Sequence, residues 1–186
     1  MSLNAFDRLA LTDLVHLYAS AVDDRRFDDV VELFTETAEL RLPNPLRSLE
    51  PVRHHHGRGG VRSAMTPLAA ITRTEHAIVG EVYAAADDAD YALGRITCIA
   101  HHWTVSDGKA SDLVWHLRYD DEYMRTRAGW RIHGRALTIN AIETRPVRRL
   151  REHPTGGRAA AADPSAASTA PHRRETNPRG RLPDTP

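Results

Sequence analysis

Between Leu9 and Phe34 the apolar residues recur at helical spacing. Leu11, Leu14, Val15, Tyr18, Ala21 and Val22 follow the i, i+3, i+4, i+7 pattern that gives a helix one buried face. Phe27, Val30, Val31 and Phe34 repeat it over a shorter run. Asp28 and Asp29 stand in the first turn of that run, where carboxylates meet the positive end of the helix dipole. Two helices are predicted, joined as a hairpin through Asp23-Asp24-Arg25-Arg26. The pattern then changes to alternation: Ala38-Glu39-Leu40-Arg41-Leu42 reads as a strand that Pro43 and Pro45 end. Residues 43–62, rich in Pro, Arg, Gly and His, have no period and read as a loop, and Val61 to Ile71 reads as partly helical around Pro67.

From His76 onward four strand-like runs cover residues 76–83, 90–104, 112–125 and 129–140. The segments between them, Ala86 to Ala89, Ser106 to Lys109 and Arg127 to Gly129, have hairpin length and turn chemistry. Helices first and antiparallel strands afterwards predict an α+β fold. The expected architecture is a cone, with N-terminal helices packed on a curved, mostly antiparallel sheet and one mouth left open. From Pro146 large apolar residues nearly vanish, so residues 1–145 are the expected domain and 146–186 a disordered Arg/Ala/Pro-rich tail.

Composition narrows the function classes. At 186 residues the chain has room for one substantial core, and its 41% hydrophobic content suits a soluble domain. Basic and acidic residues balance at 25 each, so no global charge argues for a nucleic-acid partner. The tail's eight arginines against four acids leave it near +4 and the body near −4. Neither a leader-like start nor a run of membrane-spanning length is present, which sets a cytoplasmic protein without a membrane partner as the expectation. Cys98, the lone cysteine, excludes an internal disulfide and a cysteine-based zinc site, and within its apolar run it reads as a small hydrophobe. The triplet His54-His55-His56 invites a metal, but in a loop it lacks the geometry that a helix or strand would impose on ligands. Neither a metal nor another cofactor is expected.

Several polar residues fall where the interior of a cone ought to be. Tyr18 lies on the apolar face of the first helix and Asp23 arrives where that face ends; His76 opens the first strand of the second half; His101 and His102 lie in the next. Successive strand residues face opposite sides, so only one of the two neighbouring histidines points inward. Counting by twos from Cys98 and Ala100 favours His102, counting from Ile99 favours His101, and the pattern does not choose. An imidazole beside a carboxylate is the recurrent arrangement for proton abstraction. A tyrosine or a second histidine can act on the substrate's oxygen. The plainer alternative makes Tyr18 a core residue, Asp23 a turn residue and His76 a solvated strand start.

Three stretches carry a family resemblance: residues 17–34 (LYASAVDDRRFDDVVELF), Thr-Glu-His ending at His76, and YDDEYMR (119–125) followed by GWRI (129–132). Over residues 5–145 the chain resembles the SnoaL-like branch of the nuclear transport factor 2-like superfamily. That superfamily includes polyketide cyclases, scytalone dehydratase, a bile-acid dehydratase, hexachlorocyclohexane dehydrochlorinase, limonene epoxide hydrolase and ketosteroid isomerase, besides non-catalytic modules. The resemblance is closest to the dehydratases and the dehydrochlorinase. It implies a His76 base paired with Asp23, with Tyr18 as the helix-one tyrosine and His101 as the second cavity histidine. His102, Arg135 and Asn140 are the implied substrate-binding residues. Asp24, one residue on, is then expected on the solvent side. The Asp-Arg-Asn pattern of the epoxide hydrolases is not evident. The implied function is a cofactor-independent lyase or isomerase, a dehydratase or polyketide-type cyclase, acting on a small, largely apolar molecule. The alternative is a non-catalytic binding or association module of the same fold. A homodimer is the implied assembly.

Overall fold

The computed structural model describes residues 2–151. The tail expected from Pro146 lies outside the described residues from residue 152 onward. Helix α1 spans Ala5–Asp23 and α2 Phe27–Glu32. They are followed by strands β1 (Phe34–Asn44) and β2 (Ser48–His56), helix α3 (Gly57–Met65) and a 3-10 turn (Thr66–Ala70). Four long strands follow within the described residues: β3 (Arg73–Ala85), β4 (Tyr91–Ser106), β5 (Lys109–Thr126) and β6 (Gly129–Val147). The six strands form one curved sheet in the order β2-β1-β6-β5-β4-β3. Every neighbouring pair is antiparallel except β1 and β6. This is the α+β architecture that the helical and alternating periods predict.

α1 begins where Asn4 caps it, its side-chain oxygen accepting from the Asp7 backbone N–H at 2.9 Å. Asp7 is itself buried and accepts from Arg125 Nη2 at 2.8 Å and from Trp130 Nε1 at 3.2 Å. The Arg125 guanidinium also lies over the Trp130 ring, 4.3 Å from its centroid. The start of α1 is thereby tied to the β5–β6 turn. The helix then presses Leu11, Leu14, Val15, Tyr18 and Val22 against the concave face of the sheet.

That face is set by register. Ala100 pairs with Trp115, Cys98 with Leu117 and Ile96 with Tyr119, so the side chains directed at α1 alternate with outward ones along both strands. At Gly94 the Tyr123 ring closes in: a Cβ there would stand 2.7 Å from Tyr123 Cε2. Cys98 is fully buried, and burial pushes its thiol up to about 12, so it remains an unionised core residue.

Three expectations about the first half need correction. The alternation at 38–42 is not stopped by Pro43; β1 runs through it to Asn44, and the register shifts between Leu42 and Asn44 in a bulge, where the missing proline N–H costs no ladder bond. Phe34 opens β1 rather than closing α2. Residues 43–62 are likewise not a loop: they contain the end of β1, all of β2 and the start of α3. β2 is an edge strand with both faces largely wet, which removes the alternation that would have announced it and accommodates Pro51. β6 reaches Val147, so regular structure also passes the expected boundary at 145.

Candidate active site

Asp23 is the last residue of α1, and His76 lies on β3, opposite Ala100 of β4. The two meet through a pair of bonds. Asp23 Oδ1 lies 2.7 Å from His76 Nδ1, and Asp23 Oδ2 accepts the His76 backbone N–H at 2.7 Å. The Thr-Glu-His motif is explained by strand alternation: Thr74 and His76 share the concave face and Glu75 faces away. Arg25, held at φ 61°, donates to the Ile71 carbonyl at 2.7 Å and to Thr74 Oγ1 at 3.1 Å. Burial works to raise the Asp23 pKa, but bonds from the His76 ring, the His76 backbone and the Thr74 hydroxyl hold it below the ordinary carboxylate value. An ionised Asp23 fixes the proton of a neutral His76 on Nδ1 and leaves Nε2 as the basic nitrogen. Asp24 is exposed and reaches Arg26 at 3.6 Å.

His76 lines a pocket of about 160 Å³ on the concave face. Its wall is chiefly apolar, built from residues such as Val22, Leu42, Met65, Leu68, Leu117 and Leu137. Tyr18, Tyr119 and His102 contribute the other polar groups of this wall, together with Trp115 and Arg53. Tyr18 is 5% exposed, and burial raises its hydroxyl pKa against the opposing charge of Arg135, so it is a hydrogen-bond donor at neutral pH. The His76 and His102 rings meet edge to face with centroids 6.2 Å apart.

His102 bonds through Nδ1 to the Leu113 carbonyl at 3.1 Å. Burial lowers its pKa to about 4. A carbonyl only accepts, so the neutral ring carries its proton on Nδ1 and keeps a lone pair on Nε2.

Three of the expected site residues are placed elsewhere. His101 is on the convex face, bonded to Asp112 at 2.7 Å and stacked on Trp103 with ring centroids 5.0 Å apart. It does not line the pocket; the pairing of Ala100 with Trp115 turns His102 inward and His101 outward. Arg135 does not line the pocket either. It is fully buried beneath it and grips Asp121 with two bonds, Nε to Oδ1 at 2.8 Å and Nη2 to Oδ2 at 2.6 Å. The Tyr18 and Tyr119 rings lie against its guanidinium, 4.1 and 4.3 Å away. Asn140 is exposed at a bulge, where Leu117 pairs with Ile139 and His116 with Ala141.

Among the polar lining residues, sequence reasoning missed Trp115, Tyr119 and Arg53. Trp115 Nε1 is buried with no hydrogen-bond partner among the described residues. Stepping by twos from Tyr119 and Leu117 would have placed Trp115 on the same wall. Arg53 carried no such signal, because β2 shows no alternation.

Comparison with known proteins agrees with this geometry at the level of family and fold. A family described as the SnoaL-like domain matches residues 4–136. A Mycobacterium tuberculosis protein, Rv2910c, is 28% identical over 144 residues, which cover 77% of this chain and 88% of that protein. A candidate scytalone dehydratase from Novosphingobium aromaticivorans superposes with a TM-score of 0.63 at 16% identity, over 82% of this chain and 95% of the other. The hexachlorocyclohexane dehydrochlorinase LinA-type3 from Novosphingobium barchaimii superposes with a TM-score of 0.61 at 16% identity, over 79% and 97% of the two chains. At those identities the superpositions speak for the fold alone. With the family match running from the cap of α1 to Ala136 on β6, the chain belongs to the SnoaL-like domain family.

Proposed function

We propose that the protein is a cofactor-independent lyase or isomerase of the dehydratase or cyclase type, with His76 as the base that removes a proton from carbon. The observation that carries this reading is the double hold of Asp23 on His76 at the wall of an apolar pocket. Asp23 keeps the His76 Nδ1 proton in place and stabilises the imidazolium once Nε2 takes the substrate's proton. Tyr18 donates to the carbonyl oxygen on which charge develops. His102, neutral with its Nε2 lone pair, accepts a hydrogen bond from a substrate hydroxyl and orients it.

In an elimination the C–H electron pair becomes the new double bond and the hydroxyl departs. It leaves as water with the proton returned from the His76 imidazolium, so the step is redox-neutral. A volume near 160 Å³ suits one six-membered ring, since a cavity of about 150 Å³ holds benzene. The preferred substrate is therefore a single-ring, oxygen-bearing and largely apolar molecule. Proteins named as a scytalone dehydratase and a hexachlorocyclohexane dehydrochlorinase share this fold, so the fold itself accommodates a reaction of this class.

The test is a panel of cyclic β-hydroxy ketones in D2O, with NMR reading deuterium exchange beside the carbonyl and loss of water. Wild type should exceed the buffer rate, and His76→Gln should lose about 10²–10⁴-fold of that activity while keeping its melting temperature. Turnover by His76→Gln within a few-fold of wild type overturns the assignment. Ring compounds that bind tightly to wild type without exchange would make the pocket a binding module instead.

A further inference from the structure

We propose that Glu39, His54 and His56 form a site for a divalent transition-metal ion on the face of the β1–β2 hairpin that points away from the pocket. A loop would leave these histidines without common geometry, but β2 supplies it. His54 and His56 are two apart on the strand and so project from one face, while His55 between them turns inward against α3. Glu39 pairs directly with His56 across the ladder and is diagonal to His54.

The outcome is a group of three ligand atoms, two imidazole nitrogens and a carboxylate oxygen, all within 4.8 Å of one another. His54 Nδ1 already lies 2.7 Å from Glu39 Oε1, and His56 Nδ1 lies 3.9 Å from the same oxygen. The two rings are nearly parallel, with an interplanar angle of 22°. Bonds of about 2.0–2.1 Å to a shared ion need ligand atoms roughly 3 Å apart. The histidine side chains, 51% and 74% exposed, can close that gap by rotation alone.

Ligand chemistry selects the ion. Two imidazoles with one carboxylate suit Zn²⁺, Co²⁺, Ni²⁺ or Cu²⁺, with water filling the remaining positions, and do not suit Ca²⁺ or Mg²⁺, which take oxygen ligands. Arg41 Nε stands 3.7 Å from Glu39 Oε2, and its charge opposes the ion. Bound metal would join β1 to β2 across the hairpin whose Leu42, Pro43 and Arg53 line the pocket, so it would stiffen one wall.

The experiment uses tag-free, chelator-stripped, full-length protein titrated with ZnCl₂ and NiCl₂ by calorimetry, with melting curves in parallel. Wild type should bind at one site and melt higher with metal. His54→Ala, His56→Ala and Glu39→Gln should each weaken binding about tenfold or more, by the usual cost of losing a ligand or its support. Without metal these variants should melt like wild type, because the substituted side chains are solvent-facing. His16→Ala, on α1, should bind as wild type does, and Arg41→Gln should bind more tightly. Metal affinity retained in a His54→Ala/His56→Ala double variant assigns the ion to other histidines and overturns the proposal, as does the absence of binding to wild type at millimolar metal.

Discussion

His102 donates its Nδ1 proton to the Leu113 carbonyl and is held neutral by burial, which makes it a sensor of acid as well as part of the pocket wall. In the unfolded chain its ring titrates near 6.5; in the folded chain it does so at about 4. Between those values the unfolded state binds the extra proton, so stability falls as pH drops from about 6.5 to about 4 and this contribution is flat below that. The span corresponds to about 3 kcal/mol. Asp23 acts at lower pH: its depressed carboxyl contributes stability that is present above the unfolded value and lost as pH falls through the folded one. A His102→Gln variant should therefore show a shallower decline of urea midpoint between pH 6.5 and 4 than wild type. Equal slopes would mean that the folded ring titrates normally.

Among elements, β2 and α3 are where local pattern and packing part company. Gly59 and Gly60 are neighbours in the first turn of α3, and chain statistics treat them alike. A Cβ on Gly60 would stand 2.8 Å from the His55 carbonyl carbon, whereas nothing lies within 4 Å of one on Gly59. Gly60→Ala should cost about 1–3 kcal/mol through overpacking. Gly59→Ala should gain up to about 1 kcal/mol from helix propensity. Urea denaturation of the two variants reads the signs directly, and the same sign for both would contradict the packing of α3 on β2. The long strands, in contrast, were legible within about three residues except at the end of β6, which runs on past Asn140 to Val147, because one wet and one buried face leave an alternation that an edge strand with two wet faces does not.

For the whole molecule, Asp121 and Arg135 link β5 to β6 under the pocket, with no exposure of either side chain. The Tyr123 hydroxyl donates to the same carboxylate at 2.6 Å, and Tyr18 rests on the guanidinium. Removing the cation leaves a buried carboxylate unpaired, so Arg135→Met should cost about 3–5 kcal/mol. Replacing both charges, as in Asp121→Leu/Arg135→Met, should recover most of that loss, because neither desolvated charge remains. Chemical denaturation of the single and double variants makes the comparison. A double variant no more stable than Arg135→Met would show that shape, rather than charge, dominates the site. Among the described residues no helix is long and apolar enough to cross a membrane.

The sequence by itself determined the parts whose signal is local. The stripe on α1, the run of four strands and the α+β order follow from spacing along one element. Asp23 and His76 were singled out by their positions at the edges of those patterns, Tyr18 by its hydroxyl on the apolar face, and all three by family resemblance. Only the tertiary structure decided that His102 faces the pocket and His101 does not, that Arg135 supports Tyr18 from beneath, and that Asn140 sits exposed on a bulge. It also turned a polar loop into a strand and a helix. The physical reason is common to these cases. Periodicity assigns residues to two faces of an element, but which face is interior depends on register, bulges and the neighbour that covers it.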